Sequence, residues 1–193
     1  YPLSPLFMFH EEMSYQGYTL IELMVTVTVA AIVMGLAVPS FIGTVRSNRL
    51  TTYANELVSS LNYARSEAIK RSAPISIRRK GTTSQHWETG WDVFVDLNGN
   101  GAFDDNANST LCEATEDCLL KTYDALSTGY TLRTGNSSYK DYATYLAEGL
   151  SKNQVSEVFR LCDNTQNTTN SRTISVNAIG RPSTTVGNAA SCP

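Results

Sequence analysis

Glu22 is the residue whose chemistry most needs explaining. It opens a run, Leu23 to Ile42, that carries no charged side chain. About twenty such residues suffice to span a hydrocarbon core as a helix. A carboxylate inside that environment costs roughly 2.5–3.5 kcal/mol on insertion scales, so Glu22 asks for a cationic partner. A second candidate constellation is Asp96, Asn98, Asn100 and Asp104, with Gly101 between them. Oxygen-bearing side chains at alternate positions around a glycine turn are what a calcium loop requires. Calcium, however, takes six to eight oxygens, and the usual helix–loop–helix pattern closes with a glutamate at the twelfth place, which here is Ala107. The competing reading is an Asx/Gly hairpin turn. The expected cofactor complement is therefore none, with calcium (Ca2+) as the one candidate.

The remaining reactive side chains point away from catalysis. His86 is the sole histidine beyond residue 10. No G-x-S-x-G elbow or Gly-rich phosphate loop occurs, and the scattered aspartates fall in turn-like stretches, so no enzyme is expected. The four cysteines, Cys112, Cys118, Cys162 and Cys192, are even in number and widely spread. They suggest disulfides formed in an oxidising compartment, with three connectivities open. Local closure favours Cys112–Cys118 with Cys162–Cys192. A zinc site is the weaker alternative, because no CxxC spacing is present. The N-x-S/T sequons at Asn108, Asn136 and Asn167 are unremarkable in a Ser/Thr/Asn-rich stretch.

These residues need elements to position them. Beyond the apolar run, Leu50, Tyr53, Ala54, Leu57, Val58, Leu61, Ala64 and Ala68 recur at helical spacing. Arg49, Thr52, Glu56, Ser60 and Glu67 are expected opposite them. The helix should stop near Ser72, since Pro74 disfavours helix at the residue before it. Tyr18 to Ser72 is 55 residues, about 80 Å as a helix. Past Pro74 the pattern turns to short β-rich runs: Ile75–Lys80, Trp91–Asp96, Leu119–Tyr123, Tyr130–Arg133, Val158–Cys162 and Thr173–Asn177. The fold class is thus α+β: one long N-terminal α-helix, its first half transmembrane, packed on an antiparallel β-sheet head of one curved layer or two small ones.

Charge is nearly balanced, 15 basic against 18 acidic residues, which argues against a dedicated nucleic-acid protein. It is unevenly spread. Residues 46–80 hold Arg46, Arg49, Arg65, Lys70, Arg71, Arg78, Arg79 and Lys80 against only Glu56 and Glu67. The plainest explanation is a solvated helix face meeting an acidic head or a neighbouring subunit.

A secretory signal would need a basic region before the apolar run and a small-residue cleavage site after it, and no Lys or Arg precedes Arg46. An ordinary anchor explains neither Glu22 nor Gly17. The stretch Gly17-Tyr18-Thr19-Leu20-Ile21-Glu22-Leu23 resembles the type IV prepilin motif. That resemblance implies cleavage after Gly17, N-methylation of Tyr18, and a glutamate at Glu22 that pairs with a neighbour's new N-terminal amine and fixes register during assembly. It also implies a helix loosened at Gly35 and Pro39 in the filament. Residues 1–17 would be the leader. It lacks the family's usual basic residues, and Met8 and Met13 are candidate initiators. Residues 18–42 would form the transmembrane and filament-core helix, 43–73 its amphipathic continuation, and 74–193 the β-rich head, periplasmic or extracellular.

In the head, Gly90-Trp91-Asp92-Val93-Phe94, the turn after it and the stretch Asn177-Ala178-Ile179-Gly180-Arg181 resemble the GspH/FimT group of minor pilins and pseudopilins. The likeness is thinnest over 106–157, which reads as a variable insertion. The resemblance implies a filament subunit that primes or caps a type IV pilus, supporting twitching, adhesion or DNA uptake. The alternative it allows is a type II secretion pseudopilin. Expected partners are major and minor pilins or pseudopilins, the prepilin peptidase/methyltransferase and an inner-membrane assembly platform. The subunit would sit single-pass in the inner membrane before assembly, and in an extracellular pilus or periplasmic pseudopilus afterwards. Some FimT-like proteins are thought to hold DNA through a Gly-Arg-x-Arg element. Here that stretch reads Gly180-Arg181-Pro182-Ser183, leaving Arg181 as the one candidate contact.

Overall fold

The computed structural model describes residues 17–106, 112–113, 115–135, 139–187 and 189–192. All of the expected leader (residues 1–17) except Gly17, the sequons at Asn108 and Asn136, and Ala107 lie outside the described residues.

The helix α1 runs Leu20–Arg71, without interruption at Gly35 or position 39. It starts two residues later than the sequence suggested, because Thr19 is its N-cap. The amide of Glu22 donates to Thr19 Oγ1 at 3.2 Å, and the Glu22 carboxylate accepts from the Thr19 amide at 2.9 Å. This reciprocal pair is a capping box. At the other end Ser72 adopts φ 51° and the Ala73 amide donates to Ala68 O. That is a Schellman-type closure, and Pro74 follows it.

The chain divides into two compact units, residues 1–43 and 44–193. In the second, Leu50, Ala54, Leu57, Leu61, Ala64 and Ala68 are all at most 1% exposed and form the helical side of the core. Ser60 and Glu67 depart from expectation: both are buried. Ser60 sits three residues after Leu57 and four before Ala64, so it shares their face. There its hydroxyl donates to Leu57 O and accepts the indole N–H of Trp91 at 3.0 Å. Glu67 is held by Arg71 at 2.6 Å.

Among the described residues, eight strands build two four-stranded antiparallel sheets. They are β1 (Ile75–Arg79), β2 (Trp91–Val95), β3 (Cys118–Tyr123), β4 (Thr131–Arg133), β5 (Tyr142–Tyr145), β6 (Glu157–Cys162), β7 (Arg172–Val176) and β8 (Pro182–Val186). One sheet has the order β3-β2-β1-β5, the other β4-β6-β7-β8. A short 3-10 helix, Trp87–Thr89, links β1 to β2. The two-sheet alternative is therefore the one realised. The region 106–157 is less an insertion than a supplier of sheet: it contributes β3, β4 and β5. Neither β5 nor β8 was expected from the sequence.

Strand alternation sorts the first sheet's residues. Ile75 and Ile77 lie opposite Val95 and Val93, and all four join the core with Trp87, Trp91, Phe159 and Ile174. Ser76 lies opposite Phe94 on the other face, yet both are fully buried. The loop after β2 covers them, with Phe103 set edge-on to Phe94 at 5.3 Å.

Candidate assembly site and head loops

The N-terminal unit presents Tyr18 at 90% exposed, and every large apolar side chain described from Leu20 to Ile42 is exposed as well. Such a surface needs lipid or other subunits around it. This is one helix long and apolar enough to cross a membrane. The hydroxyls of Thr26 and Thr28 donate back to Leu23 O and Met24 O, satisfying polar groups where no water would be available. Glu22 is not a bare charge at the head of this surface. Its Oε2 receives both the amide and the hydroxyl of Thr19, each at 2.9 Å. The sequence carries this signal as Thr19-x-x-Glu22, a capping role beyond the charge pairing expected of Glu22.

The candidate calcium residues do come together, in a self-contained hydrogen-bonded loop. Asp96 is fully buried. Its carboxylate accepts the Ser76 hydroxyl at 2.5 Å and the amides of Asn100 and Gly101. The amide nitrogens of Asn98 and Asn100 both donate to Asp104 Oδ2 at 2.8 Å, which holds the Asp104 carboxyl below its usual range. Cations already sit on the loop carbonyls: Arg78 donates to Gly101 O at 2.5 Å, and Lys152 donates to Gly99 O. Asp117, from the segment before β3, takes the amides of Leu97 and Asp104. Gly101 is obligatory here: its φ is +73°, and a Cβ would fall 2.2 Å from the Tyr142 ring. Among the described residues no group of three or more His, Cys, Asp or Glu is arranged to hold a metal ion.

The basic cluster Arg78-Arg79-Lys80 does not form a common patch. Arg78 is on the loop, Arg79 pairs with Asp141 at 2.7 Å, and Lys80 reaches Asp92 at 3.4 Å. Arg181 follows the β7–β8 turn. Its backbone exchanges bonds with Asn177, and its side chain lines a groove of about 380 Å³ with Glu157, Ser175 and Ser183. His86 lies 3.1 Å from Glu88, which also binds Arg133. The cysteines pair as Cys112–Cys118 and Cys162–Cys192. The second bridge fastens the last residues to the end of β6.

Known proteins agree with this architecture. The family model described as type II transport protein GspH matches residues 53–180, and that of the prokaryotic N-terminal methylation motif matches residues 13–38. The chain is similar to the type IV minor pilin FimU of Pseudomonas aeruginosa in two crystal forms. One aligns at 25% identity and a TM-score of 0.58, covering 76% of this chain and 96% of that one. The other aligns at 24% identity and 0.55, covering 74% and 99%. No curated protein matches the chain. A long capped helix with an exposed apolar first half, and a second half built into an antiparallel two-sheet head, defines the type IV pilin-like class. The chain belongs to the GspH family within it, as a GspH/FimT-type pilin.

Proposed function

We propose that this chain is a minor subunit of a type IV pilus, held in the inner membrane by the Tyr18–Ile42 segment before assembly. The observation that carries this is the methylation motif heading a capped helix whose apolar surface is exposed along its whole first half. In this reading the peptidase/methyltransferase cuts after Gly17 and methylates Tyr18. The carboxylate of Glu22 pairs with a neighbouring subunit's amine in the lipid-like filament core, where an ion pair without its partner is strongly penalised. Gly35 and Pro39 let the helix loosen on assembly, since proline withholds a backbone donor. The likeness to a minor pilin supports the pilus over the pseudopilus; the GspH description keeps type II secretion as the second reading.

Deleting the gene and scoring piliation, transformation and protein secretion separately tests both. Loss of surface pili with normal secretion is expected. Loss of secretion with normal pili would replace the pilus reading with the pseudopilus one.

A further inference from the structure

Residues 47–52 of α1 give the helix little support of their own. Ser47, Asn48, Thr51 and Thr52 are weak helix formers whose side chains compete for backbone groups, and Gly43 and Thr44 precede them. The apolar core offers this turn one anchor: Leu50 is the first described residue of α1 to be buried, and Ser47, Asn48 and Arg49 are exposed. Yet α1 runs through the turn unbroken.

The missing support comes from β7. Its first residue, Arg172, is only 6% exposed. A guanidinium withdrawn from water usually faces a carboxylate, but the hydrogen bonds of Arg172 all end on neutral oxygens among the described residues. Its Nη1 donates to Asn170 O at 2.7 Å and Ser171 O at 3.1 Å. Its Nη2 donates to Ser47 O at 3.2 Å, Ser47 Oγ at 3.0 Å and Thr51 Oγ1 at 3.1 Å. A planar fork with two separated nitrogens holds two elements at once, which a lysine ammonium does not. One nitrogen ties down the loop before β7. The other ties down the helix, where Ser47 and Thr51 share a face at i and i+4. Thr51 Oγ1 also donates to Ser47 O at 3.0 Å, closing the turn a second time.

We infer that Arg172 is the positioning residue of the helix: it fixes where α1 leaves the head and sets a limit, at Ser47, that loosening from Gly35 and Pro39 does not pass. Gly35, Pro39 and Gly43 weaken the helix on the N-terminal side of this clamp. Leu50, Ala54 and Leu57 hold it in the core on the other side. The loosening rests on the reading of the chain as a filament subunit; the clamp does not.

Amide exchange of the detergent-solubilised full chain, followed in increasing denaturant, tests the inference. In the natural sequence, local opening should stop at Arg46, and residues 47–51 should open only together with residues 54–68. Arg172→Lys keeps the charge and loses the fork. It should speed exchange over residues 47–51 by about tenfold or more, the effect of losing a charge-assisted hydrogen bond, with the amides of β1, β2 and β6 unchanged. Ser47→Ala combined with Thr51→Ala removes both hydroxyl acceptors while raising intrinsic helix propensity. Exchange there should rise all the same, where a helix held by propensity alone would slow. Exchange over residues 47–51 that stays at the natural rate in Arg172→Lys, or that slows in the alanine pair, overturns the assignment. Should Arg172→Lys fail to fold, the alanine pair decides, because it leaves the bonds of Arg172 to Asn170 and Ser171 in place. A failed clamp with piliation still dependent on the chain sinks this inference alone and leaves the proposed function standing.

Discussion

Glu22 carries two jobs that a single substitution conflates. As the third residue of a capping box it orders the first turn of α1, and in the proposed function its carboxylate offers charge to a neighbour. Glutamine serves the box as well as glutamate does but is neutral. Glu22→Gln is therefore expected to keep amide protection over residues 20–24 while abolishing incorporation into filaments. Thr19→Val should cost about 1 kcal/mol of local helix stability and raise amide exchange there. Incorporation of Glu22→Gln at the natural level would refute the charge role. The capping box was open to reading from Thr19 and Glu22 alone. In the sequence the box is masked by the apolar run that adjoins it, which singles Glu22 out as a charge rather than as a cap. Ser60 is a similar case. Its offsets of +3 from Leu57 and −4 from Ala64 put it on the core face, whereas its polarity alone favours the solvent face. What the spacing did not reveal was the reason a hydroxyl is tolerated there, namely the Trp91 indole across the helix–sheet junction.

At the scale of elements, the loop after β2 works as a lid over the outer face of its sheet. Asp96 is its hub, and the loop's cohesion comes from side chains and backbone amides. Asp96→Ala is expected to lower head stability by about 3 kcal/mol, the order of a lost buried charged acceptor. The melting temperature should be unchanged by chelator, because Arg78 and Lys152 occupy the carbonyls a cation would use. A rise in melting temperature with added calcium would contradict this.

The strands that escaped prediction failed for physical reasons. β8, Pro-Ser-Thr-Thr-Val, lacks apolar alternation because it is an edge with little to bury. β5, Tyr-Ala-Thr-Tyr, is four residues long and relies on Gly101 fitting beneath Tyr142. No local pattern encodes that contact. The six expected strands matched to within a residue or so because each has at least one face in the core.

For the molecule as a whole, acid should weaken the head in two stages. Burial, together with the charges of Arg133 and Arg79, lowers the His86 pKa below its usual value. The unfolded chain then binds a proton more readily, and stability falls as pH drops through about 6.5. The Arg71 hydrogen bond lowers Glu67, and the Asn98 and Asn100 amides lower Asp104. Their contributions are present above the ordinary carboxylate range and are lost below about pH 4. Thermal melts of the detergent-solubilised chain should be flat above neutrality and decline in those two windows. Substituting His86 with glutamine should remove only the upper one. A melt that declines equally with and without His86 would reject its part.

Trp87 and Trp91 are the chain's two tryptophans, and both are fully buried in the core, one of them hydrogen-bonded to the helix. Their emission is therefore a built-in reporter of whether helix and sheet remain joined. The same label-free signal can be read from the free subunit, from the membrane-embedded precursor and from any assembly reconstituted with tryptophan-free partners. Assembly can thus be followed optically without attaching a dye to the surface on which neighbours must dock.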